Sequence, residues 1–169
     1  SPGERIKVRG MILTGIDIGG TRIKAGLVDA RGKLLKMEMI PMAEIQNYKT
    51  FINRVSKLVR HLGPSSAMGM GLPGRVDADR GQHVWLHGKL EWLQKHYVAK
   101  DFKSATGRPC FVDNDANVVL LGEKRFGSGK KFQNFMRKIT LRWHAPKPCP
   151  FSKPPKRCKT SFPPLFSLK

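Results

Sequence analysis

The sequence predicts an α/β domain in which three short antiparallel strands are followed by strand–helix units. Three observations indicate this order. Short apolar runs near the N-terminus are broken by glycine-containing turns, one longer run has helical spacing, and a later apolar run passes into a polar helix start. With 169 residues, the chain is long enough for one domain with a buried core, or for one domain plus a tail.

The first three predicted elements are strands joined by tight turns. Apolar runs cover residues 11–18, 21–28 and 33–40. Gly19 and Gly20 separate the first two runs, and the Asp-Ala-Arg-Gly turn after the second run separates it from the third. Short apolar runs divided by such residues are typical of antiparallel hairpins.

The first of these hairpins carries chemically useful residues. Gly19 and Gly20 have no Cβ, so the backbone can adopt positive φ and bring its N–H groups close to an anion. Thr21 adds a hydroxyl, Lys24 adds a positive charge, and the Asp17 carboxylate is suited to a hydrated Mg²⁺ ion. We therefore interpret the hairpin as a phosphate-binding motif; an ordinary tight hairpin is the alternative.

A helix and a buried strand are predicted next. Residues 45–62 have apolar side chains at helical spacing, and Gly63 closes that helix. Residues 67–72 form a short apolar strand, and residues 69–74 match the pattern G-x-G-x-x-G. Because no apolar helix follows, we interpret this pattern as a strand and a turn at a pocket's edge, where Gly74 permits close approach by a ligand.

The last part of the predicted domain is a helix, a strand and a second helix. Residues 78–108 read as irregular, with a helix over about 98–106. A strand is predicted over 109–112 and a helix over 114–126, which Asp113 is expected to cap.

A polar cluster follows the last predicted strand. Asp113, Asn114, Asp115 and Asn117 lie at its carboxyl end, where open α/β sheets present their chemistry. Asp115 is suited to take a proton from a hydroxyl as general base, and Asn114 to hold that hydroxyl by a hydrogen bond. The alternative is that all four residues are caps and turns.

The net charge of +20 is unevenly distributed. Residues 137–169 contain nine Lys/Arg, seven prolines and no acidic residue, so we expect a basic tail that is largely unfolded from residue 146. Such a tail either binds nucleic acid or acidic partners, or is out of frame and not the natural continuation of the domain. Residues 1–10 are expected to be a leader outside the fold.

The remaining composition predicts a cytoplasmic protein with reduced thiols. The three cysteines form no CxxC pair, and no apolar run is long enough for a transmembrane helix. The polar, basic N-terminus has no signal-peptide core. The histidines have no ligand spacing, so we interpret them as surface or core residues.

Three stretches together resemble a known family. Residues 15–35 (GIDIGGTRIKAGLVDARGKLL), 69–77 (GMGLPGRVD) and 111–135 (FVDNDANVVLLGEKRFGSGKKFQNF) resemble, in order and separation, the N-terminal domain of ROK-family sugar kinases. They are similar to bacterial glucokinases and N-acetylmannosamine kinases, and the resemblance covers residues 12–136. It implies an actin-like, ribonuclease-H-like ATPase domain, a homo-oligomer, and phosphoryl transfer from ATP with Mg²⁺ to a sugar, glucose above all.

The resemblance also implies roles for individual residues. The stretch from Asp17 to Lys24 would be the first phosphate motif. Asn114 and Asp115 would be the sugar clamp and the catalytic base. Gly74 and Arg75 would line the sugar site.

The sequence also departs from the family pattern. After Phe135 the glycine-rich second phosphate loop is missing, and the His and CxCGxxGC run of the family's zinc site is absent, so no zinc site is expected. Residues 86–92 replace the family's asparagine-rich sugar loop. We therefore expect an incomplete kinase chain joined to an out-of-frame tail. We also expect this chain to have no helix-turn-helix. The alternative is a non-catalytic basic protein that uses the tail to bind nucleic acid or acidic partners.

Overall fold

The computed structural model describes residues 10–131. Within them a five-stranded mixed sheet has strand order β3-β2-β1-β4-β7, and β5 and β6 form a separate hairpin. The strands are β1 (Ile12–Ile18), β2 (Arg22–Asp29), β3 (Leu34–Pro41), β4 (Ala67–Leu72), β5 (Arg75–Asp77), β6 (Gln82–Trp85) and β7 (Cys110–Asn114). The helices are α1 (Tyr48–Leu62), α2 (Val98–Thr106) and α3 (Asp115–Arg125), with short 3-10 turns at Met42–Glu44, Glu91–Leu93 and Ser128–Lys131.

Several sequence predictions fall outside the described residues. These are all but the last residue of the leader (1–10), the basic tail (137–169), and the cysteines Cys149 and Cys158.

The third cysteine, Cys110, is buried in β7, and its burial raises the pKa of the thiol to about 12. In the described part of the chain, no helix is both long and apolar enough to cross a lipid bilayer.

The sheet combines two kinds of strand pairing. β1, β2 and β3 pair antiparallel, whereas β4 lies parallel to β1 and β7 lies parallel to β4. The parallel pairs need crossover connections, which α1 and α2 supply. As a result, the carboxyl ends of β1, β4 and β7 meet at one edge of the sheet, where the predicted site residues lie.

One face of the sheet packs against α1 and α2. Along β1 the buried residues Thr14, Ile16 and Ile18 alternate with more exposed ones, as expected for a strand with one covered face. Phe51 of α1 is fully buried and contacts Phe102 of α2 edge-on, with ring centroids 5.3 Å apart. This core lies on one face of the sheet, and the candidate site lies on the opposite face.

The predicted helix over 45–62 begins three residues later than expected, at Tyr48. Asn47 is its N-cap, and the Asn47 Oδ1 accepts a hydrogen bond from the Thr50 N–H at 2.9 Å. The region 78–108, predicted as irregular before its helix, contains strand β6, which pairs with β5 just before this region. These strands are only three and four residues long, which is too short for a hydrophobic period to reveal them.

The opposite face carries a row of glycines. Gly26, Gly15 and Gly69 are in register on three neighbouring strands, and we call them the glycine row. The row continues into Met37 on β3 and Phe111 on β7, whose side chains are 51% and 68% exposed. α3 packs on this face against β4 and β7 and has no buried residue of its own. The face is therefore apolar and largely uncovered by the described residues.

This uncovered face leads us to expect concentration-dependent self-association of residues 1–169, because exposed apolar patches of this kind favour contact with other chains. Replacing Phe111 and Leu121 together by lysine should shift the protein toward monomer in sedimentation velocity. Tyr97→Lys, an exposed aromatic residue just before α2, is the matched control and should leave the distribution unchanged. An unmodified chain that sediments as a monomer at all concentrations would contradict the expectation.

Candidate functional site

The site is organised by a second row of in-register residues on the same face of the sheet. Lys24 pairs with Asp17, Asp17 with Gly71, and Gly71 with Asp113, so the row crosses β2, β1, β4 and β7. The Lys24 Nζ lies 4.0 Å from the Asp17 Oδ2, and both side chains are more than half exposed. The row thus presents a carboxylate and an ammonium group to solvent side by side.

The N-terminus of α3 lies directly over Gly71. A Cβ placed on Gly71 would lie 3.5 Å from the Asp115 Cα and 3.8 Å from its Cβ. The missing side chain lets the helix begin close to the sheet, with Asp115 in its first turn. Because Asp17 is the in-register neighbour of Gly71, Asp17 and Asp115 flank the same glycine.

Asn114 ties this helix start to the loop after β4. Its Nδ2 donates to the Gly74 carbonyl at 2.8 Å, and its Oδ1 accepts from the Ala116 N–H at 3.0 Å. Asn114 is therefore the N-cap of α3, so the prediction that Asp113 caps the helix is wrong. The two bonds leave one N–H of the Asn114 amide for a ligand.

Asp113 has a different structural role. Its Oδ1 accepts hydrogen bonds from the Asn114 N–H at 2.6 Å and from the Asn117 Nδ2 at 3.0 Å. The Asp113 side chain therefore braces the start of α3 from the strand side.

The β1–β2 hairpin, interpreted from its sequence as a phosphate-binding motif, closes without left-handed backbone. Neither Gly19 nor Gly20 adopts the positive φ that glycine permits. Gly19 is instead needed for space, because a Cβ there would lie 2.9 Å from the Arg22 carbonyl oxygen. The Gly19 N–H donates to this same oxygen at 3.1 Å and closes the hairpin. Gly20 and Thr21 are exposed at its tip.

The loop after β4 requires a glycine for a reason the sequence did not reveal. Gly74 has φ +85°, and a Cβ there would lie 2.5 Å from the Trp85 carbonyl oxygen. The Trp85 carbonyl of β6 therefore lies close to Gly74, and the approach of a ligand to Gly74 stays a prediction. Arg75, the next residue, is exposed at the start of β5.

A groove of about 300 Å³ adjoins the row formed by Lys24, Asp17, Gly71 and Asp113, which we call the site row. Its lining includes Asp17, Lys24, Gly15, Gly26 and Val118, so it runs between the site row, the glycine row and α3. Among the described residues, no group of three or more His, Cys, Asp or Glu side chains is placed to hold a metal ion. A single carboxylate such as Asp17 is nevertheless the usual protein contribution to Mg²⁺ that is bound mainly by substrate phosphates and water.

Comparison with known proteins agrees with this arrangement. The sequence profile of the ROK family matches residues 13–140. The glucokinase of Streptomyces coelicolor is 32% identical over 123 residues, which cover 71% of this chain and 38% of the relative. The N-acetyl-D-glucosamine kinase of Aliivibrio salmonicida is 29% identical over 113 residues, covering 64% and 36%. A solved structure, a ROK family glucokinase from Streptomyces griseus in complex with glucose and AMPPNP, superimposes with a TM-score of 0.62 at 30% identity, covering 70% and 38%.

The sheet order, the crossover helices and the site at the carboxyl ends of β1, β4 and β7 define an α/β domain of the actin-like ATPase class. The chain belongs to the ROK family. Both the predicted fold class and the resemblance are confirmed. The chain spans about two-fifths of the length of the curated relatives it matches.

Proposed function

We propose that this chain provides the sugar-binding and first phosphate-binding elements of an ATP-dependent sugar kinase that converts glucose to glucose 6-phosphate. One observation carries the proposal: Asp115 and Asp17 flank Gly71, and Lys24 lies beside Asp17. A carboxylate suited to proton transfer thus lies beside a carboxylate–ammonium pair suited to phosphate and Mg²⁺. The preference for glucose, a cytoplasmic, glycolytic role and a homo-oligomeric state belong to the proposal as well.

In the proposed mechanism Asp115 is the general base. Its exposed carboxylate accepts the proton of the sugar hydroxyl as that oxygen bonds to the γ-phosphorus of ATP, while the bond from this phosphorus to the bridging oxygen breaks and ADP leaves. The remaining N–H of Asn114 donates to a sugar hydroxyl and orients it, while Gly74 and Arg75 form the wall of the sugar site. The electropositive N-terminus of α3 stabilises the negative charge of the Asp115 carboxylate.

The residues at the β1–β2 hairpin fit a magnesium–nucleotide complex. Asp17 would hold Mg²⁺ through its hydration shell, and Lys24, Thr21, Gly20 and Gly19 would surround the phosphates. When bound, Mg²⁺ neutralises charge that develops on the transferred phosphoryl group. Lys24 adds a positive charge 4.0 Å from the carboxylate, and it remains half-exposed and so accessible to a phosphate.

We expect residues 1–169 alone to show no ATP-dependent phosphorylation of glucose, because closure of a second domain normally completes a kinase site and excludes water. A coupled assay on the purified chain tests this expectation. Turnover that disappears in Asp115→Asn would contradict it.

The proposed function itself is tested by joining residues 11–136 to the C-terminal part of the Streptomyces coelicolor glucokinase. The fusion should phosphorylate glucose in the presence of ATP and Mg²⁺, and faster than N-acetylglucosamine or N-acetylmannosamine. A folded fusion that phosphorylates none of these sugars would contradict the proposal, and one that prefers N-acetylglucosamine would overturn the choice of glucose.

A further inference from the structure

A buried histidine contacts the loop after β4. His83 lies in β6 and is fully buried, and its Nε2 is 2.8 Å from the Pro73 carbonyl oxygen. A carbonyl oxygen only accepts hydrogen bonds, so the Nε2 must carry the proton. The geometry therefore selects one tautomer of the ring, with Nδ1 unprotonated.

The other ring nitrogen has no hydrogen-bond partner among the described residues. Protonating Nδ1 would bury a charged ring whose new N–H finds no acceptor, and burial lowers the pKa of His83. The ring accordingly stays neutral at neutral pH and keeps its Nε2–H for Pro73.

A second side chain holds the next carbonyl of the same loop. Asn114 donates from Nδ2 to the Gly74 oxygen at 2.8 Å, from the residue just before Asp115. Two successive carbonyls, those of Pro73 and Gly74, are thus fixed by side chains from β6 and from the N-cap of α3. We call this pair of hydrogen bonds the loop clamp.

The His83 end of the loop clamp is itself anchored. The His83 N–H donates to the His96 carbonyl at 3.0 Å, and the Lys95 N–H donates to the His83 carbonyl at 2.8 Å. These bonds hold the β6 backbone without any contribution from the imidazole. The imidazole is therefore attached to a strand held by other bonds, and its Nε2–H contacts the loop after β4.

We propose that His83 is a positioning residue for the sugar site: its Nε2–H and the Asn114 amide together set where Gly74 and Arg75 stand relative to Asp115. His83 does not touch the sugar and acts through the Pro73 carbonyl. The proposal rests on the proposed function, since Gly74 and Arg75 matter to activity only if they line a sugar site.

A purely structural role makes a different prediction. The buried Nδ1 has no hydrogen-bond partner among the described residues, which lowers stability, so a leucine would fill this core position without that penalty. If His83 served only to fill the core, leucine and glutamine would change stability and leave sugar affinity alone. If it positions the loop, affinity should depend on an N–H donor at this position.

The test measures glucose binding to residues 1–169 by NMR titration, following the amide signals of Gly74 and Arg75. His83→Leu removes the donor, and we expect affinity to fall about tenfold, the loss typical of one well-made hydrogen bond. His83→Gln offers its Nε2–H at a similar reach and should restore affinity to within about threefold. His61→Leu, which replaces a histidine with a 72% exposed side chain on α1, is the matched control and should bind as the unmodified chain does.

Wild-type affinity in His83→Leu, or equal weakening in His83→Leu and His83→Gln, would overturn the proposal. If His83→Leu does not fold, nitrogen-15 NMR of the unmodified chain decides the question: an Nε2–H tautomer supports the proposal and an Nδ1–H tautomer refutes it. A failure of the proposed function looks different. In that case the unmodified chain shows no glucose shifts at all, but its His83 still has the Nε2–H tautomer, and the amide-exchange protection of the loop is still weakened in His83→Leu.

Discussion

Replacing Asp115 by asparagine is expected to lower kcat by about 10²–10⁴-fold, the usual range for loss of a general base, while leaving sugar affinity nearly unchanged. Asparagine has the same shape, and its Oδ1 can still accept from the Ala116 N–H, as the aspartate does at 2.8 Å. Only the proton acceptor is lost. The measurement is steady-state kinetics of the fused, full-length enzyme with glucose as substrate.

Asp113→Asn is the matched control for this experiment. Asp113 lies two residues away on the same edge, but its Oδ1 is engaged with Asn114 and Asn117. We expect kcat to change less than about tenfold, because this carboxylate braces the helix and does not take the proton. If Asp113→Asn lost more activity than Asp115→Asn, the two roles would have to be exchanged.

The second large effect is expected at Gly74. Gly74→Ala should lower the free energy of unfolding by about 3 kcal/mol, since left-handed backbone costs a non-glycine residue about 1–2 kcal/mol and the backbone clash adds to this. The added Cβ would lie 2.5 Å from the Trp85 carbonyl oxygen, so β6 or the loop must move. Sugar binding should weaken in the same variant because the Gly74 carbonyl leaves the Asn114 amide.

Gly107→Ala separates the cost of the left-handed backbone from the cost of the clash with the Trp85 carbonyl. Gly107 follows α2 with φ +72°, and no atom lies within 4 Å of the position of its missing Cβ. Only the backbone cost remains, so urea unfolding should show a loss of about 1 kcal/mol. Equal losses at Gly74 and Gly107 would show that the contact with Trp85 does not matter.

The sequence predicted the strands and helices in which apolar residues recur at a regular spacing over several residues. β1, β2, β3, β4, β7 and the three α-helices were each expected within a few residues of their observed positions, because alternation and helical spacing report which face is buried. The polar cluster at Asn114 and Asp115 was visible for a related reason, since it follows a strand directly.

What the sequence missed depends on contacts between distant segments. Gly71 resembles any strand glycine until α3 is seen over it, and the burial of His83 follows from the three-dimensional course of β6. The choice between Asp113 and Asn114 as helix cap depends on which of two neighbouring polar residues ends the strand. The φ values at Gly19 and Gly74 likewise depend on which carbonyl approaches each glycine.

The mixed pairing of the sheet also has a consequence for the order of folding. The strands that carry Asp17 and Lys24 form a local hairpin, whereas β7 is separated from its partner β4 by residues 73–109, which include α2. Local contacts form faster than distant ones because less chain entropy is lost in closing them. As the chain leaves the ribosome, the β1–β2 hairpin should therefore form first, and the carboxylate of Asp115 should reach its position last.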